Sequence, residues 1–167
     1  LGDEIIYDHG DPNDFPGSRG VKHVVKSRCI LMCLLDTPAG LIRVVTTHFT
    51  VSDLCTETSQ MYEMACLTAS LIDNAKSYPT IFSGDLNIRA KSYSVSKLSE
   101  VMTCHTNEFT DTLAKDHISK EKDFPEGLAI DHVFSKDMDL VDINANDVSF
   151  SEHKALVSNF SLNTDLL

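Results

Sequence analysis

The sequence predicts a single α/β domain, and three observations support this. Short runs rich in Val, Ile and Leu end in Gly- or Asp-containing stretches, which is typical of β-strands. Between two such runs, Met, Leu, Ile and Ala recur at intervals of three and four residues, as in an amphipathic helix. The 167 residues are 42% hydrophobic and 23% charged, which suits one folded domain with a core.

The N-terminal part is predicted to contain a loop and a hairpin. Residues 1–20 are rich in Gly, Pro and Asp and read as a loop-rich segment with a short strand end at Ile5–Tyr7. Val21–Asp36 is a β-rich run, and Leu41–Thr47 returns as a second strand. Thr37–Gly40 supplies the turn between them.

A helix and a buried strand are expected next. Thr56–Lys76 has helical spacing, with Thr56 or Ser59 available as the N-cap. Pro79 ends the helix, because the residue before a proline avoids helical backbone angles. The apolar run that begins at Thr80 then predicts a strand leading to Asn87.

The rest of the chain is predicted to alternate a short helix, a long connection and three strands. The helix spans Ser94–Met102. Residues 103–127 show no clear periodicity apart from a helical turn over Thr110–Ile118, so we expect this connection to face the substrate. The three strands are predicted at Gly127–Phe134, Leu140–Asn144 and Ala155–Leu162.

Charge and composition limit the range of functions that the chain can have. The net charge of −11 argues against a broad basic surface for a nucleic-acid backbone. It leaves room for a phosphate ester, because a metal ion can supply positive charge. No apolar run approaches the ~20 residues of a membrane span. The odd number of cysteines and the lack of a CxxC pair favour reduced thiols in a reducing compartment, with a cytoplasmic location expected.

Polar residues interrupt or follow the apolar runs at four places. Asp85 and Asn87 follow the strand that begins at Thr80, and they alternate so that both side chains project the same way. They are interpreted either as functional side chains of a ligand site at a strand end or as part of an ordinary Gly-Asp turn. His48 is either a satisfied structural group or a catalytic one. Asp131 would be costly to bury without a partner, so it is expected to orient another group. The fourth place holds Glu152 and His153.

These residues lie in four short motifs whose order resembles the endonuclease/exonuclease/phosphatase superfamily. The resemblance covers about Arg19 to Leu162. It implies an α/β four-layer sandwich, with two mixed β-sheets packed face to face and helices outside. The motifs are Thr47-His48, Gly84-Asp85-Leu86-Asn87, Ile130-Asp131-His132-Val133 and Ser151-Glu152-His153.

The resemblance also implies a role for each position. Asp85 matches the acid that orients or deprotonates the attacking water, and Asn87 matches its phosphate- or metal-binding neighbour. His153 matches the histidine beside the scissile phosphate, and Asp131 the acid that fixes its tautomer. His48 matches a second histidine on the phosphate or leaving oxygen.

The same resemblance implies a divalent cofactor, Mg²⁺ or Mn²⁺, with Glu152, Asp85 and Asn87 as metal residues. Glu152 stands where the family usually has aspartate; the longer side chain keeps the charge and displaces the carboxylate by about one methylene. The expected function is hydrolysis of a phosphate ester: a nucleic acid, a phospholipid headgroup or a small phosphate ester.

One departure from the family pattern concerns the N-terminus. The family's metal-binding glutamate on an early strand has no counterpart before the Thr47-His48 strand. Residues 21–167 are therefore expected to form the C-terminal two-thirds of such a domain, a fold incomplete at its N-terminus that could pair with a missing segment or with another chain. The alternative is a catalytically degenerate domain that serves as a binding module. An unrelated α/β hydrolase is disfavoured, since no G-x-S-x-G motif occurs.

Overall fold

The computed structural model describes residues 3–7, 28–74 and 77–162. Predictions for residues 8–27, which include most of the N-terminal loop, lie outside the described residues. The described strands are β1 (Asp3–Tyr7), β2 (Arg28–Thr37), β3 (Gly40–Thr47), β4 (Thr80–Asp85), β5 (Thr103–Cys104), β6 (Asp131–Lys136), β7 (Met138–Asn146) and β8 (Ala155–Leu162). The helices are α1 (Ser59–Asn74), α2 (Tyr93–Ser99) and α3 (Ile118–Lys122), and a 3₁₀ turn covers Asp53–Cys55.

Within the described residues the strands form two sheets. Six strands make a mixed sheet in the order β1-β2-β3-β4-β6-β5. In this sheet β3 and β4 run parallel, joined by the crossover through α1, and the other neighbours are antiparallel. The second sheet is the antiparallel pair β7-β8. The α/β class predicted from the sequence is therefore confirmed.

The main core lies between the mixed sheet and helices α1 and α2. Alternate strand residues point toward the helices, as the two-residue repeat of a strand requires. Ile30, Val45 and Phe82 from the sheet are fully buried against Met64 of α1 and Leu98 of α2. This packing fixes the ends of β3 and β4, where the polar motifs begin.

Most of the predicted helices and strands are present in the structure, although their first and last residues differ from the prediction. The β2-β3 hairpin and the last strand, β8, are confirmed, and α1 starts at Ser59, one of the two expected caps. The helical turn predicted over Thr110–Ile118 is wrong in position. Leu113 instead pairs with His153 as an isolated antiparallel bridge, and the helix α3 starts only at Ile118.

Two further features bear on the sequence predictions. No helix in the described part of the chain is long and apolar enough to cross a membrane. All five cysteines are thiols that take part in no disulfide, and each is only partly buried.

Candidate active site

The site is organised around the carboxyl end of β4. Asp85 is the last residue of this strand, and its Oδ1 accepts a hydrogen bond of 2.9 Å from the backbone N–H of Asn87. Asn87 has a φ of 53°, a left-handed angle that Asn tolerates better than most residues. A Cβ at Gly84 would overlap the Thr47 carbonyl oxygen, so glycine lets the ends of β3 and β4 approach closely. The sequence Gly-Asp-Leu-Asn is thus required both for its backbone and for its side chains.

Asp131 enters from the neighbouring strand in a way that the sequence did not predict. The sequence predicts Asp131 in the interior of a strand over Gly127–Phe134, whereas in the structure it is the first residue of β6. Because β6 runs antiparallel to β4, its start lies beside the end of β4, and Asp131 is the Cα partner of Asp85. The antiparallel pairing therefore brings the two carboxylates together.

His153 and Asp131 form a hydrogen-bonded pair. The Nδ1 of His153 lies 2.9 Å from Oδ2 of Asp131, within the range expected if Asp131 orients the ring. The same Oδ2 accepts a 2.6 Å hydrogen bond from the hydroxyl of Thr112. That hydroxyl also accepts hydrogen bonds from the backbone N–H groups of Ile130 and Asp131, so its donor and both of its acceptor positions are used. Thr112 therefore fixes the Asp131 carboxylate, and this carboxylate fixes the His153 ring.

His48 approaches Asp85 from the end of β3. Its Nε2 lies 3.4 Å from Oδ2 of Asp85, and its side chain is 54% exposed, compared with 19% for Asp85. Partial burial lowers the pKa of His48, and the positive charge of Arg28 adds to this effect. His48 is therefore mainly neutral at neutral pH and faces solvent beside the carboxylate.

The surroundings of two other site residues raise their pKa values. Burial raises the pKa of Asp85 to about 6, and the negative charge of Asp131 contributes in the same direction. The hydrogen bond to Asp131 raises the pKa of His153, outweighing the opposite effect of partial burial. The site therefore holds an unusually basic carboxylate, Asp85, and an imidazole, His153, that binds a proton more readily than an ordinary histidine.

The donor atoms of the site are compatible with a divalent cation. One ligand atom from each of Asp85, Asp131 and His153 lies within 4.8 Å of the others. The amide Nδ2 of Asn87 donates to the carbonyl of Phe49 at 3.1 Å, which turns the amide oxygen away from this bond. Two mutually repelling carboxylates would be relieved by a cation, and hard cations prefer oxygen ligands. The residues present therefore fit Mg²⁺ or Mn²⁺.

Glu152 is placed differently from the other predicted site residues. Its side chain is exposed and lines a separate depression with Asp116 and Phe150. Its carboxylate is outside the group formed by Asp85, Asp131 and His153. The structure thus brings His48, Asp85, Asn87, Asp131 and His153 together and leaves Glu152 at the margin.

Sequence reasoning missed several residues of the site. Thr112 and His117 both lie in the connection whose lack of periodicity suggested only a substrate-facing loop. The His117 ring meets the His153 ring edge-on, with 5.7 Å between centroids. Asp111, beside Thr112, forms ion pairs with Lys120 at 2.6 Å and Lys154 at 2.8 Å. No local pattern could have found these residues, because their partners are distant in sequence.

A cavity of about 400 Å³ opens directly onto these groups. Its lining includes polar residues of the site, among them His48, Asp85 and His153. The lining also includes apolar residues, among them Leu54 and Phe124. A cleft that combines convergent polar groups with an apolar wall is the usual form of a small-molecule site.

Comparison with known proteins supports the fold. No protein-family model and no curated protein matches the sequence. Among solved structures, an endonuclease/exonuclease/phosphatase from Beutenbergia cavernae DSM 12333 aligns with a TM-score of 0.66 and 20% identity, over 97% of this chain and 45% of that protein. A mannosyl-6-phosphatase from Bacteroides thetaiotaomicron VPI-5482 aligns with a TM-score of 0.61 and 14% identity, over 95% of this chain and 67% of that protein. D. rerio TDP2, complexed with a single-strand DNA product, aligns with a TM-score of 0.59 and 13% identity, over 84% of this chain and 68% of that protein.

The resemblance predicted from the four motifs is thereby confirmed at the level of fold. The chain has the fold of the endonuclease/exonuclease/phosphatase proteins, a class that includes phosphatases and nucleases. It spans less than half the length of the Beutenbergia protein and about two thirds of the other two.

Proposed function

We propose that this chain is the catalytic part of a divalent-metal-dependent phosphoester hydrolase. The observation that carries the proposal is the arrangement of Asp85, Asp131 and His153, in which one carboxylate is free to face a substrate and the other orients the imidazole. Structural similarity to phosphatases and nucleases supports the same reaction class.

Asp85 acts on the attacking water in this proposal. Its pKa of about 6 leaves the carboxylate mostly ionised at neutral pH and more basic than an ordinary aspartate. A base with a pKa near the working pH combines the correct protonation state with useful proton affinity. Its fixed hydrogen bond from the N–H of Asn87 holds one carboxylate oxygen in place, which leaves Oδ2 for the water.

His153 and His48 act on the phosphate. His153 donates its Nδ1 proton to Asp131, so its Nε2 is directed away from that carboxylate. Its raised pKa favours the imidazolium, which stabilises the negative charge that grows on the phosphoryl and leaving oxygens. His48, mainly neutral, offers a hydrogen bond from the other side of Asp85.

A metal ion would complete this set. Asp85 and the amide oxygen of Asn87 would hold it, and a turned Glu152 side chain would add a third oxygen ligand, as the sequence resemblance implies. A bound Mg²⁺ or Mn²⁺ would neutralise charge on the non-bridging phosphate oxygens.

The four-layer arrangement and the incomplete domain also remain proposals. A cavity of about 240 Å³ lies between β4 and β6 on one side and β8 on the other, lined by Gly84, Asp131 and Leu156. Among the described strands, β7 and β8 pair only with each other. We infer that further strands, from a longer form of this protein or from another chain, extend this small sheet into the second sheet of a sandwich.

A binding module without catalysis is the second candidate. The position of Glu152 favours it, because an exposed carboxylate outside the donor group weakens the metal site. The two candidates differ in one measurable respect, since only the hydrolase turns over substrate.

The test is hydrolysis of bis(p-nitrophenyl) phosphate and p-nitrophenyl phosphate with added Mg²⁺ or Mn²⁺. Removal of the metal with EDTA, and the Asp85→Asn and His153→Ala variants, should each reduce release of p-nitrophenolate by a factor of at least ~10². Asp147→Asn, an exposed acid outside the site, serves as the matched control and should keep full activity. Phosphate binding without any metal-dependent turnover would instead establish the binding module.

A further inference from the structure

The apolar part of the cavity wall has a feature that the reaction itself does not require. Two apolar side chains in the loop between β3 and α1 remain open to solvent at the mouth of the cavity: Val51 is 46% exposed and Leu54 is 66% exposed. Single exposed apolar residues are common on proteins. Here two of them line the same cavity that contains His48 and Asp85.

The backbone of this loop is held in an unfavourable conformation. Leu54 and Cys55 both have φ of 54°, in the left-handed region that residues with a Cβ rarely adopt. Such a conformation is unfavourable for residues with a Cβ, and it persists where the surroundings enforce it. The loop is tied down from within, because Ser52 donates a hydrogen bond to the Thr56 carbonyl. The result is that Leu54 is presented at the cavity mouth instead of being buried in the core.

Behind these residues the wall continues as a small buried cluster. Leu113, Leu128 and Ile130 are each at most 5% exposed, and Phe124 packs against them. Burial raises the pKa of the neighbouring Cys55 thiol to about 11, so that side chain is neutral at physiological pH. The cluster and the exposed residues thus form a largely apolar surface, and the Arg89 guanidinium lies over the Phe124 ring, 5.4 Å from its centroid.

The charges that do line the cavity disfavour a polyanionic ligand. Among the described residues that line it, none is Lys or Arg, whereas Asp85 and Asp123 are acidic. An extended nucleic-acid strand would bring further phosphates against these carboxylates. A ligand with one phosphoryl group and an uncharged organic group suits this cavity, because the phosphoryl group can contact the polar residues and the organic group the apolar ones.

We infer that the substrate is a phosphoester whose organic group is uncharged and largely apolar or aromatic, and that Val51, Leu54 and Phe124 select this group. The inference rests on the proposed function, because it takes the polar side of the cavity as the phosphoryl site. At about 400 Å³ the cavity lies toward the small end of ligand pockets, so it accommodates a small ester and not a large lipid.

The test compares two ligands that differ only in the organic group, phenylphosphonate and methylphosphonate, with inorganic phosphate as a third probe. Dissociation constants are measured by calorimetry in the presence of Mg²⁺. Burial of the phenyl ring should make phenylphosphonate bind roughly tenfold tighter than methylphosphonate. In the Leu54→Asn variant, where asparagine accepts the left-handed backbone, this ratio should fall toward one. Leu41→Asn, which changes an exposed leucine on β3 away from the cavity, should retain the wild-type ratio.

The outcomes separate this inference from the proposed function. Equal binding of the two phosphonates by a protein that hydrolyses phosphoesters would overturn the inference and leave the function standing. Faster hydrolysis of an oligonucleotide than of an aryl phosphodiester would overturn it in the same way. Absence of binding for phosphate and for both phosphonates would overturn the proposed function, and the inference with it.

Discussion

Replacing Asp111 with asparagine should destabilise the protein and disturb the site at the same time. The Oδ2 of Asp111 accepts hydrogen bonds from the Nζ atoms of Lys120 and Lys154. Its Oδ1 accepts from the backbone N–H groups of Leu113 and Leu128, each at 3.2 Å. One carboxylate thus joins α3, the start of β8 and the connection that carries Thr112.

The size of the expected loss of stability in Asp111→Asn follows from the burial of Asp111, Lys120 and Lys154. Exposed ion pairs contribute ~0–1 kcal/mol, whereas removing one member of a buried pair costs ~3–5 kcal/mol. The three side chains here are only 16–19% exposed, which places them nearer the buried limit. An asparagine could keep the two backbone bonds but would point an amide at one or both ammonium groups. We therefore expect a loss of about 3 kcal/mol, equivalent to a fall in Tm of roughly 6–12 °C for a domain of this size.

The effect should also depend on pH in a defined direction. Burial alone would raise the pKa of Asp111, but the hydrogen bonds from Lys120 and Lys154 outweigh it and lower the pKa to about 2. A carboxyl whose pKa is lower in the folded state stabilises the protein above its unfolded pKa, and this contribution is lost as the pH falls through the folded value. The stability difference between wild type and Asp111→Asn should therefore be full above about pH 4 and should shrink toward pH 2.

Urea denaturation at several pH values measures this difference. Asp116→Asn is the matched control, since Asp116 is an exposed acid on the same connection. A loss below ~0.5 kcal/mol for Asp111→Asn at pH 7, or a loss that stays constant from pH 7 to pH 2, would refute the reasoning.

Three further changes probe the site itself. Asp131→Asn should lower the pKa of His153, which NMR titration measures, and should reduce the rate of phosphodiester hydrolysis ~10²–10⁴-fold without changing the fold. An unchanged pKa of His153 would mean that the pair has no electrostatic role. Thr112→Val leaves two backbone N–H groups without their acceptor and should cost ~2 kcal/mol in urea denaturation, whereas Thr112→Ser should remain close to wild type. The pKa of Asp85 is about 6, so the Mn²⁺ affinity measured by calorimetry should be constant above pH 6 and fall about tenfold per pH unit below it. An affinity that does not change with pH, or the same pH profile in Asp85→Asn, would exclude Asp85 as a ligand.

Three predictions that depended on local pattern agree with the structure, whereas the helical turn predicted over Thr110–Ile118 does not. The β2-β3 hairpin follows from its turn sequence, α1 from its helical spacing, and β8 from its apolar run. The residues around Gly84 and Asp85 were equally consistent with a turn and with a site, and only the other three motifs favoured the site.

What could not be predicted depends on pairing between distant segments. The position of Asp131 at the start of β6 follows from the antiparallel direction of that strand relative to β4, which no local pattern encodes. Thr112 is held by residues 18 and 19 positions later in the chain. Glu152 was assigned by position in a motif, yet its side chain direction depends on the bridge between Leu113 and His153, which forms only in the folded chain.

The measurement that tests the central claim most directly is hydrolysis of methyl p-nitrophenyl phosphate in ¹⁸O-labelled water with Mn²⁺ present. If Asp85 directs water to phosphorus while His153 stabilises the charge, ³¹P NMR should show one ¹⁸O in the methyl phosphate product. The rate should fall at least ~10²-fold in both Asp85→Asn and His153→Ala, with Asp147→Asn unchanged. Product without the label, or wild-type turnover in Asp85→Asn, would contradict the account.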